Sequence, residues 1–118
     1  MSYVDFFCMP IPEANVEKYK PMIETFATVM KENGVLSYCE AMANDVPRGK
    51  QTDFYRAVQA KDNETVIAAF LRWPDKATRD KAWDVAMKDP RLSEMKPDTM
   101  PFDGKRMFWG GFSPLFEL

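Results

Sequence analysis

The chain has 118 residues, 46% of them hydrophobic and 14% aromatic against 29% charged, which suits a single domain (1–118) with its own core and excludes a disordered or fibrous chain. A formal net charge of -2 leaves no electrostatic surplus for a phosphate backbone and argues against nucleic acid as a partner. No apolar run approaches the ~20 residues of a bilayer crossing, and Asp5 arrives too soon for a signal-peptide core, so the expectation is a cytoplasmic protein with no membrane partner.

The stretch YVDFFCMPI (3–11) is rich in aromatic and β-preferring residues and stops at Pro12, a first strand. From Asn15 a helical period takes over, with Val16, Tyr19, Ile23, Phe26 and Met30 at steps of three and four, until Asn33-Gly34 supplies a left-handed stop. Pro21 removes one backbone hydrogen bond early in this helix. It predicts either a kink near Glu17 to Pro21 or a regular helix that begins at Pro21.

VLSYCEAMA (35–43) alternates Leu36, Tyr38, Glu40 and Met42 with Val35, Ser37, Cys39 and Ala41, a second strand. A turn-rich loop, NDVPRGKQTD (44–53), follows. FYRAVQA (54–60) and ETVIAAFLRW (64–73) then flank the polar turn Lys61-Asp62-Asn63 and resemble a hairpin. Asp75 caps a second helix with the apolar stripe Ala82, Trp83, Ala86 and Met87, and Asp89-Pro90 closes it. One further helical turn over 91–95, a loop over 96–104 and a last strand over 105–115 complete the chain. The predicted class is α+β: a ferredoxin-like βαββαβ antiparallel sheet with the helices on one face.

Both faces of these strands are apolar. Val4, Phe6 and Cys8 alternate with Tyr3, Phe7 and Met9, and Phe108 and Phe112 alternate with Met107 and Trp109. An uncovered face of that kind needs a cover, and the simplest is a second copy, giving a homodimer with a cavity for a small-molecule ligand between strands and helices. Gly110 and Gly111 then mark a bulge or a close approach, and the tail 113–118 can lie on the partner.

The strings DVPRGKQTDFYRAV (45–58), RWPDKATRD (72–80), KDPR (88–91) and MPFDGKRMFWGGF (100–112), with YVDFF near the start, resemble those of the YbaA-like family of small bacterial proteins, domain of unknown function 1428. The resemblance spans nearly the whole chain. It implies the dimeric α/β-barrel superfamily, in which both sheet faces are covered. It implies no reaction, because superfamily relatives include cofactor-independent monooxygenases of polycyclic or quinone-like aromatics, isomerases, haem-binding enzymes and proteins that only bind. Haem-binding relatives generally hold iron through a histidine. This chain has none, which argues against haem and also removes the commonest general base and metal ligand.

Charged residues embedded in apolar strands are the first functional candidates: Asp5, Glu40, Arg56, Arg72 and Arg106. The expected strand order brings Asp5 near Arg106 or Arg72, where carboxylate and guanidinium can simply satisfy each other. Alternatively Asp5 or Glu40, desolvated by Phe7, Tyr38 and Trp109, acts as a general base on an acidic carbon or phenol. Tyr38, Tyr55, Trp73 and Trp109 offer an aromatic wall for a flat ligand, with the arginines as polar partners, although aromatics at strand spacing serve a core equally well.

Other features point to nothing sharper. Arg48 and Lys50 beside Gly49, and Lys105 and Arg106 beside Gly104, suit an anion but lack the spacing of a phosphate loop. Cys8 and Cys39 read as buried core thiols, and clusters such as Arg79-Asp80-Lys81 as solvated surface. Clustered carboxylates are absent and Ser37, Ser93 and Ser113 have no histidine to activate them, so neither metal nor cofactor is expected. The expected function is a cofactor-free oxygenase or isomerase, or a binder, of a small aromatic or carbonyl compound. The alternative is a non-catalytic dimeric binding or assembly module.

Overall fold

The computed structural model describes residues 2–93 and 100–118. Four strands, β1 (Tyr3–Pro12), β2 (Ser37–Met42), β3 (Glu64–Trp73) and β4 (Phe108–Phe112), alternate with helices α1 (Val16–Glu32), α2 (Phe54–Ala57), α3 (Lys76–Lys88) and α4 (Pro90–Ser93). The sheet runs β2-β3-β1-β4 with every neighbouring pair antiparallel, the expected ferredoxin-like order. β1 is paired with β3 along its whole length, from Tyr3 opposite Trp73 to Pro12 opposite Glu64. On its other side β4 pairs only from Val4 to Cys8. Pro10 and Pro12 therefore fall where β1 has a free edge, the place in a sheet that tolerates a missing N–H.

α1 follows a short 3-10 turn at Glu13–Asn15 and runs through Pro21, so the helix does not begin at the proline. Pro21 lies on the exposed side, and its carbonyl accepts the Thr25 hydroxyl at 3.1 Å. The predicted stop is present: Gly34 adopts φ +100, and the Val35 N–H reaches the Met30 carbonyl at 3.1 Å. Asp75 caps α3 by accepting the Thr78 N–H at 2.7 Å.

Two predicted strands differ. FYRAVQA forms no hairpin with β3, whose two sides are occupied by β1 and β2. Asp53 accepts the Arg56 N–H at 2.8 Å and winds Phe54–Ala57 into the helical turn α2. The last strand is also shorter than 105–115, because Asp103 accepts the Lys105 N–H at 3.0 Å and holds Gly104–Arg106 in a 3-10 turn. The turn predicted over 91–95 is α4; its last two residues and the loop start at 96–99 lie outside the described residues.

Both long helices pack on one face, over Tyr3, Asp5, Phe7, Met9 and Ile11 of β1 and their β3 partners Trp73, Leu71, Ala69 and Ile67. Fully burying each of Val29, Met30 and Leu71 there contributes about 1.5–3 kcal/mol. The other face stays open. On it Phe6, Phe70, Phe108 and Phe112 are 48%, 36%, 47% and 55% exposed, with Phe6 and Phe112 edge to face at 5.3 Å. Cys8 and Cys39 belong to this face, one half-buried and one exposed, rather than to the core. Among the described residues no helix is long and apolar enough to cross a membrane.

A candidate binding cavity between sheet and helices

Trp73 has no exposed surface, so its indole N–H must find an internal partner. It donates to Asp5 Oδ2 at 2.9 Å, and the indole of Trp83 on α3 donates to the same oxygen at 2.9 Å. Arg79, one turn earlier on α3, adds its Nη2 to Oδ1 at 2.7 Å and its Nε to both oxygens at 3.0 and 3.1 Å. Asp5 thus meets a helix arginine, not Arg106 or Arg72. The ion pair with Asp5, Asp80 and the face of the Tyr3 ring, 5.3 Å from ring centre to guanidinium carbon, surround Arg79 and keep its guanidinium charged.

Beside this anchor a cavity of about 620 Å³ lies between the helix-covered face of the sheet and helices α1, α3 and α4. That size falls within the range of small-molecule sites. Its wall is apolar for the most part, with Ile23, Phe26 and Phe102 beside the flexible side chains of Met22, Met87, Met100 and Met107. Trp109, 67% exposed and opposite Phe7 in the sheet register, forms part of its rim.

Glu40 supplies a polar end. Tyr38 and Glu40 are two residues apart on β2 and project from the same face, where Ala69 opposite Glu40 leaves room. The Tyr38 hydroxyl donates to Glu40 Oε2, and the Tyr19 hydroxyl, arriving from α1, donates to Oε1 at 2.5 Å. Burial pushes the Glu40 carboxyl above the usual carboxylate range, and the two hydroxyl donors draw it back only in part. Burial, followed by the neighbouring Glu40 charge and hydrogen bond, pushes both phenols well above their usual range. The tyrosines are therefore donors, and Glu40 is a carboxylate of strengthened basicity in mostly apolar surroundings.

Of the residues singled out in the sequence, Asp5, Glu40 and Trp109 come together on this cavity, with Tyr38 behind Glu40. The three arginines do not. Arg106 forks onto Glu64 at 2.7 and 2.8 Å, Arg72 pairs with Glu117 at 3.2 Å, and Arg56 reaches the Gly49 carbonyl at 2.7 Å. Tyr55 stacks under Arg48, 4.3 Å from its guanidinium carbon. Tyr19 and Arg79 are cavity-lining positions the sequence reading missed: Tyr19 fits a helix stripe and Arg79 a surface cluster, and only the tertiary fold joins them to Glu40 and Asp5. Among the described residues no group of three or more histidine, cysteine, aspartate or glutamate side chains is placed to hold a metal ion.

Comparison with known proteins agrees with this architecture. The chain is 43% identical over 117 residues to the uncharacterized protein YbaA of Escherichia coli K12, covering 99% of each, and matches YbaA of Shigella flexneri equally. Among solved structures, SnoaB, a cofactor-independent oxygenase from Streptomyces nogalater, superposes with a TM-score of 0.61 at 15% identity over 99% of this chain and 96% of that one. A dimeric ferredoxin-like protein from an uncultured marine organism gives 0.59 at 8% identity over 99% and 98%. At these identities the structures share the fold. Residues 2–104 match the family described as "Protein of unknown function (DUF1428)", and with the full-length likeness to YbaA this places the chain in that family.

Proposed function

We propose that the protein binds a small, flat, largely apolar aromatic or carbonyl compound in this cavity and that Glu40 is the general base of a cofactor-free isomerisation or oxygenation. The observation that carries the reading is a raised carboxylate, held by two tyrosine hydroxyls, at one polar end of a mostly apolar cavity of about 620 Å³. SnoaB, a cofactor-independent oxygenase of like fold, makes the class reasonable by analogy alone. In this reading Asp5 is an anchor for α3 rather than a second base, because Arg79 and two indoles occupy both its oxygens. Trp109 flanks the ligand, and Arg56, Arg72 and Arg106 hold the fold.

The same proposal makes the working unit a cytoplasmic homodimer, the phenylalanine-rich face of one sheet packed on its copy. Support comes from the exposure of Phe6, Phe108 and Phe112, too large an apolar patch for a monomer. A second reading, a dimeric binding module without turnover, draws on the fact that both Glu40 oxygens already hold donors and need no substrate.

Native mass spectrometry of protein purified from its own host tests the proposal, followed by turnover of the retained compound with and without Glu40→Gln. A retained aromatic or carbonyl compound whose turnover falls about 10²–10⁴-fold in the variant supports the base. Turnover unchanged in Glu40→Gln removes it, and a retained compound that is never turned over favours the binding module.

A further inference from the structure

The two tyrosines on Glu40 are not equivalent. Tyr19 lines the cavity, whereas Tyr38 stands behind the carboxylate, its ring set edge to face against Phe26 at 5.5 Å. The Tyr19 ring is fixed in the same manner by Phe102 at 5.4 Å. With the ring held, the freedom left at Tyr19 is rotation of its O–H bond. In the resting site that hydrogen is spent on Glu40 Oε1.

Resting on the reading of Glu40 as base, we propose that Tyr19 is a second catalytic residue, a hydrogen-bond donor parked on Glu40 that turns to the substrate's oxygen as Glu40 takes the substrate's proton. The step balances within the site. The substrate C–H or O–H bond breaks, its electron pair stays on the substrate as an enolate or phenolate, and the proton forms an O–H bond at Glu40 Oε1. An oxygen that has just been protonated is a poor acceptor, so the Tyr19 hydrogen loses its partner as negative charge appears on the ligand. Tyr19 keeps its own proton throughout and exchanges one acceptor for another. Its raised phenol fits that role, since it remains protonated across the ordinary pH range. Tyr38 stays on Oε2, the carbonyl oxygen of the acid, and is a positioning residue.

This arrangement also selects the substrate class. An incoming carboxylate or phosphate would meet the Glu40 charge, and Arg79, the cation among the described lining residues, is already committed to Asp5 and Asp80. The site therefore suits a neutral compound that becomes anionic only during the reaction: a phenol, or a ketone with an acidic neighbouring C–H.

The test uses 4-nitrophenol, whose absorption distinguishes phenol from phenolate, and 4-nitroanisole, its non-ionisable analogue, at one fixed pH. Glu40→Gln, whose uncharged amide resembles the protonated acid, should hold more of the bound nitrophenol as phenolate than the wild-type protein does, because the Glu40 charge no longer opposes the phenolate. In that background Tyr19→Phe should lower the bound phenolate-to-phenol ratio about tenfold to a hundredfold while binding nitroanisole normally. A ratio unchanged by Tyr19→Phe, with Glu40→Gln still raised above the wild type, overturns the role of Tyr19 and leaves the base standing. A wild-type ratio in Glu40→Gln, or no nitrophenol binding to the wild-type protein, overturns both. Should Tyr19→Phe not fold, 3-fluorotyrosine at position 19, a stronger donor of nearly the same shape, should raise the ratio; an unchanged ratio then counts against the proposal.

Discussion

The Asp5 carboxylate and the Arg79 guanidinium meet at 2.7 Å with side chains only 5% and 20% exposed, and this pair ties β1, one of the two central strands of the sheet, to α3. Removing the charge at Asp5 leaves the guanidinium without its anion, and the single acceptor oxygen of an amide must then serve donors that two oxygens serve now, with its NH2 set against the rest. Asp5→Asn should therefore cost about 2–4 kcal/mol of folding stability, read from urea denaturation. A loss below about 0.5 kcal/mol, the size of an ordinary surface change, would show that the pair does not hold α3.

Gly111 lies opposite Asp5 in the sheet register. A methyl group there would collide with the Tyr3 hydroxyl and come within 2.6 Å of Tyr3 Cε2 and 2.8 Å of Arg79 Nη2. Tyr3 and Arg79 are the tips of flexible side chains, but Arg79 is fixed by Asp5, so relief requires disturbing the ion pair. Gly111→Ala should destabilise by about 1–3 kcal/mol, and less so in an Asp5→Asn background where Arg79 is free to move. Gly104→Ala, with open space around its added carbon, is the near-neutral control.

Glu40 gives the protein a pH signature. Burial holds its native carboxyl above its ordinary value, so between the two values the folded chain binds more protons than the unfolded one. Stability from this group is complete below the ordinary carboxylate range and is lost as pH rises through the native value. Glu40→Gln lacks that titration, and the other ionisable groups are common to both proteins. The variant should gain on the wild type as pH rises from about 4 to about 8 in paired urea melts. Parallel stability curves would contradict the raised carboxyl.

The open sheet face predicts its own disruption. Phe6→Glu places a charge among Phe70, Phe108 and Phe112, on the side away from the helices. Sedimentation equilibrium at about micromolar concentration should find a dimer for the wild type and a folded monomer for the variant. A monomeric wild type would overturn the homodimer.

Much of the fold is legible because the elements that build it carry strong periods: the Val16 to Met30 stripe of α1 and the alternation in β1 and β2. The misread segment, FYRAVQA, has β-favouring Phe54, Tyr55 and Val58, yet a single cap at Asp53 overrides them. Glu40 and Trp109 could be picked out because a charge or a large ring stands out in an apolar strand. Tyr19 and Arg79 could not, because a tyrosine in an apolar stripe and an arginine in a mixed-charge cluster are what any surface helix contains. Their partners, Glu40 and Asp5, lie 21 and 74 residues away, a relation that only closure of the fold creates.

The methionines of the cavity wall bear on what it can hold. Met22, Met87, Met100 and Met107 bring unbranched, polarisable thioethers that re-thread their rotamers at little cost, so the cavity can mould itself to rings of different outline while Glu40 stays fixed. The same sulfurs are oxidisable. Each sulfoxide would set a strong dipole into a mostly apolar wall, making the cavity more polar without cutting the ion pairs and hydrogen bonds that hold the sheet to the helices, a change that reduction of the sulfoxide reverses.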